Sequence, residues 1–307
     1  MTPLATLRNA LAATTAVVAF AFLGGCATQT TTAAPPAAAV EPGPAMWVVR
    51  DADSTIYLFG TVHVLKPELQ WRTAKVDRAI AASNELVLEI QEVDDPASMA
   101  PLVQKYGLDM TKPLSAKLTA EQNARLAKAA QSAGIPVAAL EPMRPWLASV
   151  TLLVTSLTKS GFDPNAGVDK LVKEIFARAG KPVRALETAE QQMQFFAGFP
   201  EDVEVEMLVQ SLDDFEEGAE TLDRLARGWA VGDVRVLEDE LVDEMKSEAP
   251  ELYEVLITRR NIDWAEQLER KLAGSGTSFV AVGAGHLVGP DSVQVHLRRK
   301  GIRSTRM

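Results

Sequence analysis

Cysteine is almost missing from this chain of 307 residues, which has one, and histidine is scarce, with three. Because Cys26 is the only cysteine, neither an internal disulfide nor a cysteine metal cluster can form. Positive charge is in deficit, since 31 Lys and Arg face 41 Asp and Glu and the formal net charge is −10. This acidity argues against nucleic acid as a partner. After residue 25, no apolar run is long enough to cross a membrane.

The amino terminus has the features of a targeting segment, because the apolar run from Leu11 to Leu23 is short for a membrane span. The run ends in Leu23-Gly24-Gly25-Cys26, which resembles a bacterial lipobox. We therefore expect residues 1–25 to be a lipoprotein signal peptide and Cys26 to be diacylated, anchoring the protein in the bacterial envelope with its body facing the periplasm. Ala27 after the cysteine favours the outer membrane. The alternative is an ordinary secretory signal with an incidental cysteine.

The rest of the chain divides by composition into a tether and a body. Residues 26–45 consist mostly of Thr, Ala and Pro, which cannot build a core, and are predicted to form a flexible tether. Residues 46–307 are long enough for one α/β domain. Within that body, the acidic and strand-free stretch from about 201 to 272 is predicted to be a helical insertion that covers the site.

Two of the three histidines stand in the same phrase, Gly-x-x-His, each time after an apolar run. The two runs lead to His63 and to His286, and runs of this length bounded by glycine are typical of buried strands. Glycine lets the backbone turn sharply and lets a ligand approach, which is the role expected of Gly60, Gly283 and Gly285. Open α/β sheets bind ligands at the carboxyl ends of strands. Taken singly, each histidine would more simply cap a strand.

Acidic residues are predicted to end three further strands, as Glu89, Glu141 and Glu187. The last two close a weak internal repeat, in which 134–141 matches 180–187 as helix, glycine, proline, strand and acid. Parallel strands would bring all these ends to one edge of a central mixed sheet flanked by helices. The third histidine, His296, lies among basic residues and is predicted to be on the surface.

These residues resemble the TraB/GumN family, relatives of the animal TIKI proteases. The resemblance covers nearly the whole body and implies an α/β fold akin to the erythromycin-esterase and ChaN-like proteins. It also implies a metal-dependent peptidase activity. The motifs that carry it are Tyr57 to His63, Glu85 to Glu89, Pro142 to Trp146, Gly167-Val168-Asp169, Leu186 to Gln192, Arg260-Asn261 and Val282 to Gly289.

The residue types suit a divalent transition metal, Mn, Co or Zn, because two neutral imidazoles and a carboxylate are its usual ligands. His63, Glu89 and His286 are the expected ligands, and Glu187 is expected to act as ligand or general base. Arg260 is expected to bind an oxyanion or a substrate carboxylate, or else to be only an ion-pair partner of nearby acids. Three further residues are expected to lie around the site and to support it: Gln191, Asn261 and Glu141.

The sequence therefore predicts a metal-dependent hydrolase, acting on peptides or proteins, that is attached to a membrane through a lipid anchor. Two alternatives remain open at this point. One is a binding protein that uses the histidines to hold a metal, haem or polymer precursor. The other is a metal-free hydrolase in which a histidine is the general base.

Overall fold

The computed structural model describes residues 41–91, 96–213 and 218–307. The predicted signal peptide, Cys26 and most of the predicted tether lie outside these ranges, and their predictions are not addressed by the structure. Residues Val40–Met307 form one compact unit. In the part of the chain that is described, no helix is both long and apolar enough to cross a bilayer.

A mixed six-stranded sheet forms the centre of the described chain, in the order β4-β3-β5-β2-β1-β6. β2, β3, β4 and β5 are parallel, whereas β1 runs antiparallel to β2 and to β6. The α/β class with a central mixed sheet, predicted from the sequence, is confirmed. The strands are β1 Met46–Arg50, β2 Ser54–Thr61, β3 Glu85–Leu88, β4 Val183–Ala185, β5 Gly276–Gly283 and β6 Ser304–Arg306.

Helices surround the sheet and make up most of the other residues that the structure describes. The α-helices are α1 Ala74–Ala82, α2 Pro96–Gly107, α3 Ala120–Ala133, α4 Val137–Leu140, α5 Pro145–Lys159, α6 Val168–Arg178, α7 Ala189–Ala197, α8 Glu201–Asp213, α9 Gly218–Val231, α10 Val234–Leu237, α11 Glu244–Glu248, α12 Pro250–Tyr253, α13 Arg259–Leu272 and α14 Val293–Arg299. Short 3₁₀ segments occupy Leu114–Lys117, Pro164–Ala166 and Ala284–Leu287. Two segments are π-helical, Glu238–Asp243 and Glu254–Thr258.

Alternation along the central strands builds a core on each face of the sheet. Phe59 packs in one buried cluster, with residues of α1, α6 and α9, while its neighbour Leu58 packs in the other, with residues of α13 and α14. Phe279 and Val280 of β5 alternate in the same way. This period of two is the strand signature, and both faces are apolar because helices cover both.

The predicted strand at the first copy of the internal repeat is wrong. Val137–Leu140 is a short helix that begins after Pro136, and it takes no part in the sheet. Both copies place a proline before a short apolar stretch that fits helix and strand alike, and only the second copy pairs with β3 and becomes β4. The repeat therefore reflects a shared helix end and not a shared strand.

His296 is the second correction. It lies in α14 and is buried, with 6% of its surface exposed, where a surface position was predicted. The basic residues that follow it, Arg298 and Arg299, are exposed and gave the misleading local signal. His296 packs with Val293 and Leu297 on the face of the helix that is turned toward the sheet.

Candidate functional site

Four parallel strands deliver polar residues to one edge of the sheet, in the order β4, β3, β5 and β2. Glu187 follows β4, Glu89 follows β3, His286 follows β5 and His63 follows β2. The first two ends remain paired beyond the strands, since the Glu187 backbone N–H donates to the carbonyl of Glu89 at 2.9 Å. Glu141, the fifth predicted member, lies at the end of α4, where its carboxylate accepts from the hydroxyl of Ser115 at 2.9 Å.

The two Gly-x-x-His phrases lie side by side because their strands are paired in register. Gly60 is opposite Val282, and Thr61 is opposite Gly283. A Cβ placed on Gly60 would lie 3.0 Å from the Cα of Ala284, so glycine allows the two phrases to touch. The repeated phrase thus places the two histidines next to each other, just beyond the ends of neighbouring strands.

Arg260 stands between the acidic strand ends. Its Nη2 donates to Glu89 Oε2 at 2.6 Å and to Glu187 Oε2 at 2.9 Å, while its Nε donates to Glu187 Oε1 at 2.9 Å. Nη1 lies 3.1 Å from Nε2 of His286. The guanidinium also stacks over Trp264, 4.7 Å from the ring centroid. Burial disfavours its charge, but the two carboxylates more than offset this and raise the pKa of Arg260 further.

His286 is buried and held as a neutral imidazole. Its Nδ1 lies 2.7 Å from Oδ1 of Asn261, whose amide nitrogen donates to the carbonyl of Asp291 at 2.8 Å. Because Oδ1 only accepts, Nδ1 carries the proton and Nε2 keeps its lone pair. Burial is the main reason that the pKa of His286 falls to about 3, with the charges of Arg260 and His63 acting in the same direction and Glu89 opposing.

His63 has the opposite environment, because its side chain is 59% exposed and its Nδ1 lies 3.4 Å from Oδ1 of the buried Asp169. Loss of hydration opposes the charge, but the hydrogen bond and charge of Asp169, together with Glu89, raise the pKa of His63 to about 9. Gly167 permits this approach, since a Cβ there would lie 2.4 Å from the carbonyl oxygen of His63. Asp169 was not among the predicted site residues, although it ends the Gly-Val-Asp phrase.

The glutamine at the site is Gln192 and not the predicted Gln191. Gln191 is the third residue of α7 and forms a reciprocal capping box with Thr188. That bond turns Gln191 away and leaves Gln192 to donate to Glu89 Oε2 at 3.0 Å and to Glu187 Oε2 at 3.1 Å. The Thr-x-x-Gln spacing was the sequence signal for the cap.

Two clefts meet at the strand ends, and Thr61, His63, Val64 and Glu89 line both of them. The first, which we call the α5 cleft, has a volume of about 540 Å³ and runs between β3, α5 and α6. The second, which we call the apolar cleft, has a volume of about 400 Å³ and runs beneath helices of the 201–272 region. The hydroxyl of Thr61 is buried, lines both clefts and has no hydrogen-bond partner.

The charges at this edge favour a cation. Glu89, Glu187 and Asp169 are all buried, while Arg260 is the guanidinium in contact with the first two. Burial raises the pKa of Glu89, but the charges of Arg260 and His63 and the backbone N–H of Gly283 outweigh it and lower the pKa. Three buried carboxylates beside one guanidinium leave an excess of negative charge, which either a proton on His63 or a metal ion would offset.

The donor atoms fit a divalent metal in kind, but within the described ranges no three His, Cys, Asp or Glu side chains stand close enough to hold an ion as they are. A Cβ on Gly283 would lie 3.1 Å from Glu89 Oε1, 3.5 Å from Cδ2 of His286 and 3.8 Å from Nε2 of His63. Glycine thus keeps open the space that the three side chains share.

The contacts of the histidine ring nitrogens also bear on whether a metal could bind in that space. Nδ1 of His286 has an acceptor in Asn261, which is typical of histidines whose Nε2 binds a metal, and Nδ1 of His63 lies at an ion-pair distance of 3.4 Å from Asp169. The obstacle is Arg260, which now occupies Nε2 of His286 and would have to release it.

A mixed sheet with paired Gly-x-x-His histidines and buried acids at one edge defines an α/β protein with a strand-end polar site. The chain belongs to the TraB/PrgY/gumN family, whose pattern matches residues 45–306. It is similar to the protein named "Uncharacterized protein YbaP" of Escherichia coli (strain K12), at 24% identity over 83% of this chain and 92% of that protein. The protein of the same name from Shigella flexneri matches to the same extent. A comparison with solved structures gives no significant match.

Proposed function

We propose that this protein is a hydrolase that cleaves peptide bonds and uses a divalent transition metal, Mn, Co or Zn, held by His63, Glu89 and His286. One observation carries the proposal: the two histidines of the paired phrases line a common cleft with Glu89, with Nδ1 of His286 held by Asn261 and Nδ1 of His63 turned toward Asp169. When bound, such an ion supplies Lewis-acid polarisation of a carbonyl and activation of a water molecule.

Arg260 is proposed to stabilise the negative charge that develops on the carbonyl oxygen. Its guanidinium lines the apolar cleft and is fixed by three elements, through Glu89, Glu187 and Trp264. Because these contacts hold most of the guanidinium in place, little of it has to reorganise during the reaction, which favours electrostatic catalysis. Release of His286 by Nη1 would free one N–H for the substrate.

Glu187 is better suited to positioning Arg260 than to acting as a general base. Oε1 accepts from Arg260 and from Trp264 Nε1, and Oε2 accepts from Arg260 and from Gln192. A carboxylate with all four acceptor positions used has no lone pair directed at a substrate or a water molecule. Thr61 offers a different contact, because its buried hydroxyl is unpartnered at the junction of the clefts.

A metal-free hydrolase is the second candidate, and a specific observation favours it. His63 pairs with Asp169 and has a raised pKa, while Arg260 already contacts Glu89, Glu187 and His286. In that mechanism the His63–Asp169 pair would exchange protons with water and substrate, and Arg260 would be the only electrophile.

Turnover and metal content of the purified full chain separate these candidates. We expect cleavage in a mixed peptide library, about one metal ion per chain, and loss of both in His63→Ala, whereas His296→Ala is the matched control and should retain both. Turnover that persists without metal would support the metal-free candidate. Bound metal without any turnover would favour a binding protein.

We further propose that the protein is attached to a membrane through a lipid on Cys26 and acts in the cell envelope. The lipobox-like phrase is the support for this proposal, and two acyl chains on one residue give stable attachment. Cell fractionation tests it, since Cys26→Ser should release the protein from the membrane fraction. Equal membrane retention of this variant would contradict the proposal.

A further inference from the structure

The lining of the apolar cleft is polar at one end and aliphatic over the rest of its surface. Its polar groups, Thr61, His63, Glu89, Arg260 and His286, all belong to the strand-end site. The body of the cleft is aliphatic and includes Leu222, Leu225, Leu241, Val242, Met245 and Ile257. A ligand that fills it must therefore present a polar bond at one end and a large apolar group at the other.

The wall of the cleft is attached to both Gly-x-x-His phrases. Trp229 of α9 donates from Nε1 to the carbonyl of Gly60 at 2.8 Å. On the other side, a Cβ on Gly285 would lie 3.1 Å from Cδ2 of Leu241, so glycine admits that leucine against the second phrase. The aliphatic wall is thus fixed relative to the reacting edge and is not an incidental surface hollow.

The wall is also shaped by irregular helix. Leu241 and Val242 come from the π-helical segment Glu238–Asp243, and Ile257 comes from Glu254–Thr258. Such π-turns are rare and occur frequently at functional sites. Leu222, Leu241 and Met245 keep part of their surface exposed, so they form an accessible part of this wall.

We infer that the apolar cleft binds a large aliphatic or aromatic side chain of the peptide substrate, on the residue next to the bond that is cleaved. The inference rests on the proposed function, because it takes the strand-end site as the place of cleavage. A volume of about 400 Å³ holds such a side chain with its flanking backbone.

A peptide explains both clefts, which an acyl chain does not. The α5 cleft continues from the same site and adds Asp169, Lys170 and Gln192 to a lining that is otherwise mostly apolar. A peptide that crosses the junction would leave an apolar side chain in one cleft and extend its amide-bearing chain through the other. A simple fatty acyl group would fit the apolar parts of both clefts but has no polar atoms to place beside Asp169, Lys170 and Gln192.

The test measures kcat/KM of the full chain on a peptide series in which only the residue on each side of the cleaved bond is varied. The wild type is expected to prefer Leu, Phe or Met over Glu by about tenfold or more at one of these positions. Leu222→Lys places a cation in the cleft and should reduce or reverse that preference. Val231→Lys on the same helix is 71% exposed and outside the cleft lining, so it should leave the preference unchanged.

The inference is overturned by cleavage without preference at either position, or by equal effects of the two lysine variants. If no peptide is cleaved, the proposed function fails, and binding decides the inference separately. N-acetyl-phenylalanine amide should then bind the wild type and be weakened by Leu222→Lys but not by Val231→Lys. Tighter binding of decanoate than of this amide would instead assign the cleft to an acyl chain and overturn the inference.

Discussion

Arg260 and Glu187 form a two-pronged ion pair, in which Nε donates to Oε1 and Nη2 donates to Oε2, each at 2.9 Å. The same Nη2 reaches Glu89 at 2.6 Å, so one side chain of α13 ties the ends of β3 and β4 together. Planar guanidinium is suited to this geometry, and an ammonium group cannot reproduce it.

Arg260→Ala is expected to lower the free energy of unfolding by about 3–5 kcal/mol, because it leaves two buried carboxylates without their partner. Chemical denaturation checks this. Arg259→Ala is the control, because the side chain of Arg259 is 67% exposed and pairs with Glu254 at the surface. Its loss should lower the free energy of unfolding by at most about 1 kcal/mol. Similar losses of stability in the two variants would show that the buried ion pair of Arg260 stabilises the protein no more than the surface pair of Arg259.

The stability of the site should depend on pH through His286. Its pKa is about 3 in the folded chain and 6.5 ordinarily, so between these values the unfolded chain binds a proton that the folded chain does not. Stability is therefore complete above pH 6.5 and is lost as the pH falls toward 3. From pH 7 to pH 5 this single group contributes a loss of about 2 kcal/mol.

The measurement compares the free energies of unfolding of wild type and His286→Gln, obtained from urea unfolding at pH 7 and at pH 5 without added metal. His63 acts in the opposite direction, because its pKa is raised to about 9 and its contribution is greatest at low pH, but it is common to both proteins and cancels. The variant should lose about 2 kcal/mol less than wild type on acidification. Equal losses would mean that His286 is not held neutral.

Gly283→Ala should weaken metal binding with little effect on the fold. The φ of Gly283 is −49°, which alanine accepts, but the added Cβ would stand within 3.8 Å of all three proposed ligands. Titration with Mn²⁺ or Co²⁺ should show a loss of affinity, and the thermal midpoint is the control. Unchanged affinity would indicate that any ion binds outside this space.

Glu141→Ala should leave peptide turnover unchanged and lower the free energy of unfolding by about 1 kcal/mol. The carboxylate accepts from the backbone N–H and the hydroxyl of Ser115, remote from the strand-end cluster. Assays of turnover and denaturation on the same preparation check both expectations. A loss of turnover without a loss of stability would indicate that Glu141 takes part in the function of the site after all.

Much of the fold follows from local sequence patterns. Alternating apolar strands, their glycines and the α1 helix could be predicted, because each depends on residues adjacent in sequence. The same reasoning was wrong at 136–141, where a short apolar stretch fits helix and strand equally and only the sheet decides. His296 was misplaced because the three basic residues that follow it at the end of α14 are exposed, and their exposure does not indicate the burial of the turn before them.

The partners within the site are harder to predict than its members. The strand-end pattern indicated His63, Glu89, Glu187 and His286, but nothing local showed that Arg260 would lie between them. Asp169 and Gln192 were missed for the same reason, since each reaches the cluster from a separate helix. Contacts of this kind depend on long-range packing, which periodicity does not encode.

Anomalous diffraction from crystals of the protein grown with Mn²⁺ or Co²⁺ tests the central claim most directly. We predict one strong peak beside Gly283, within bonding distance of Nε2 of His63, a carboxylate oxygen of Glu89 and Nε2 of His286, with Nη1 of Arg260 withdrawn from the last. A map without a peak there, in which Arg260 keeps its contact with His286, would contradict the metal-dependent account.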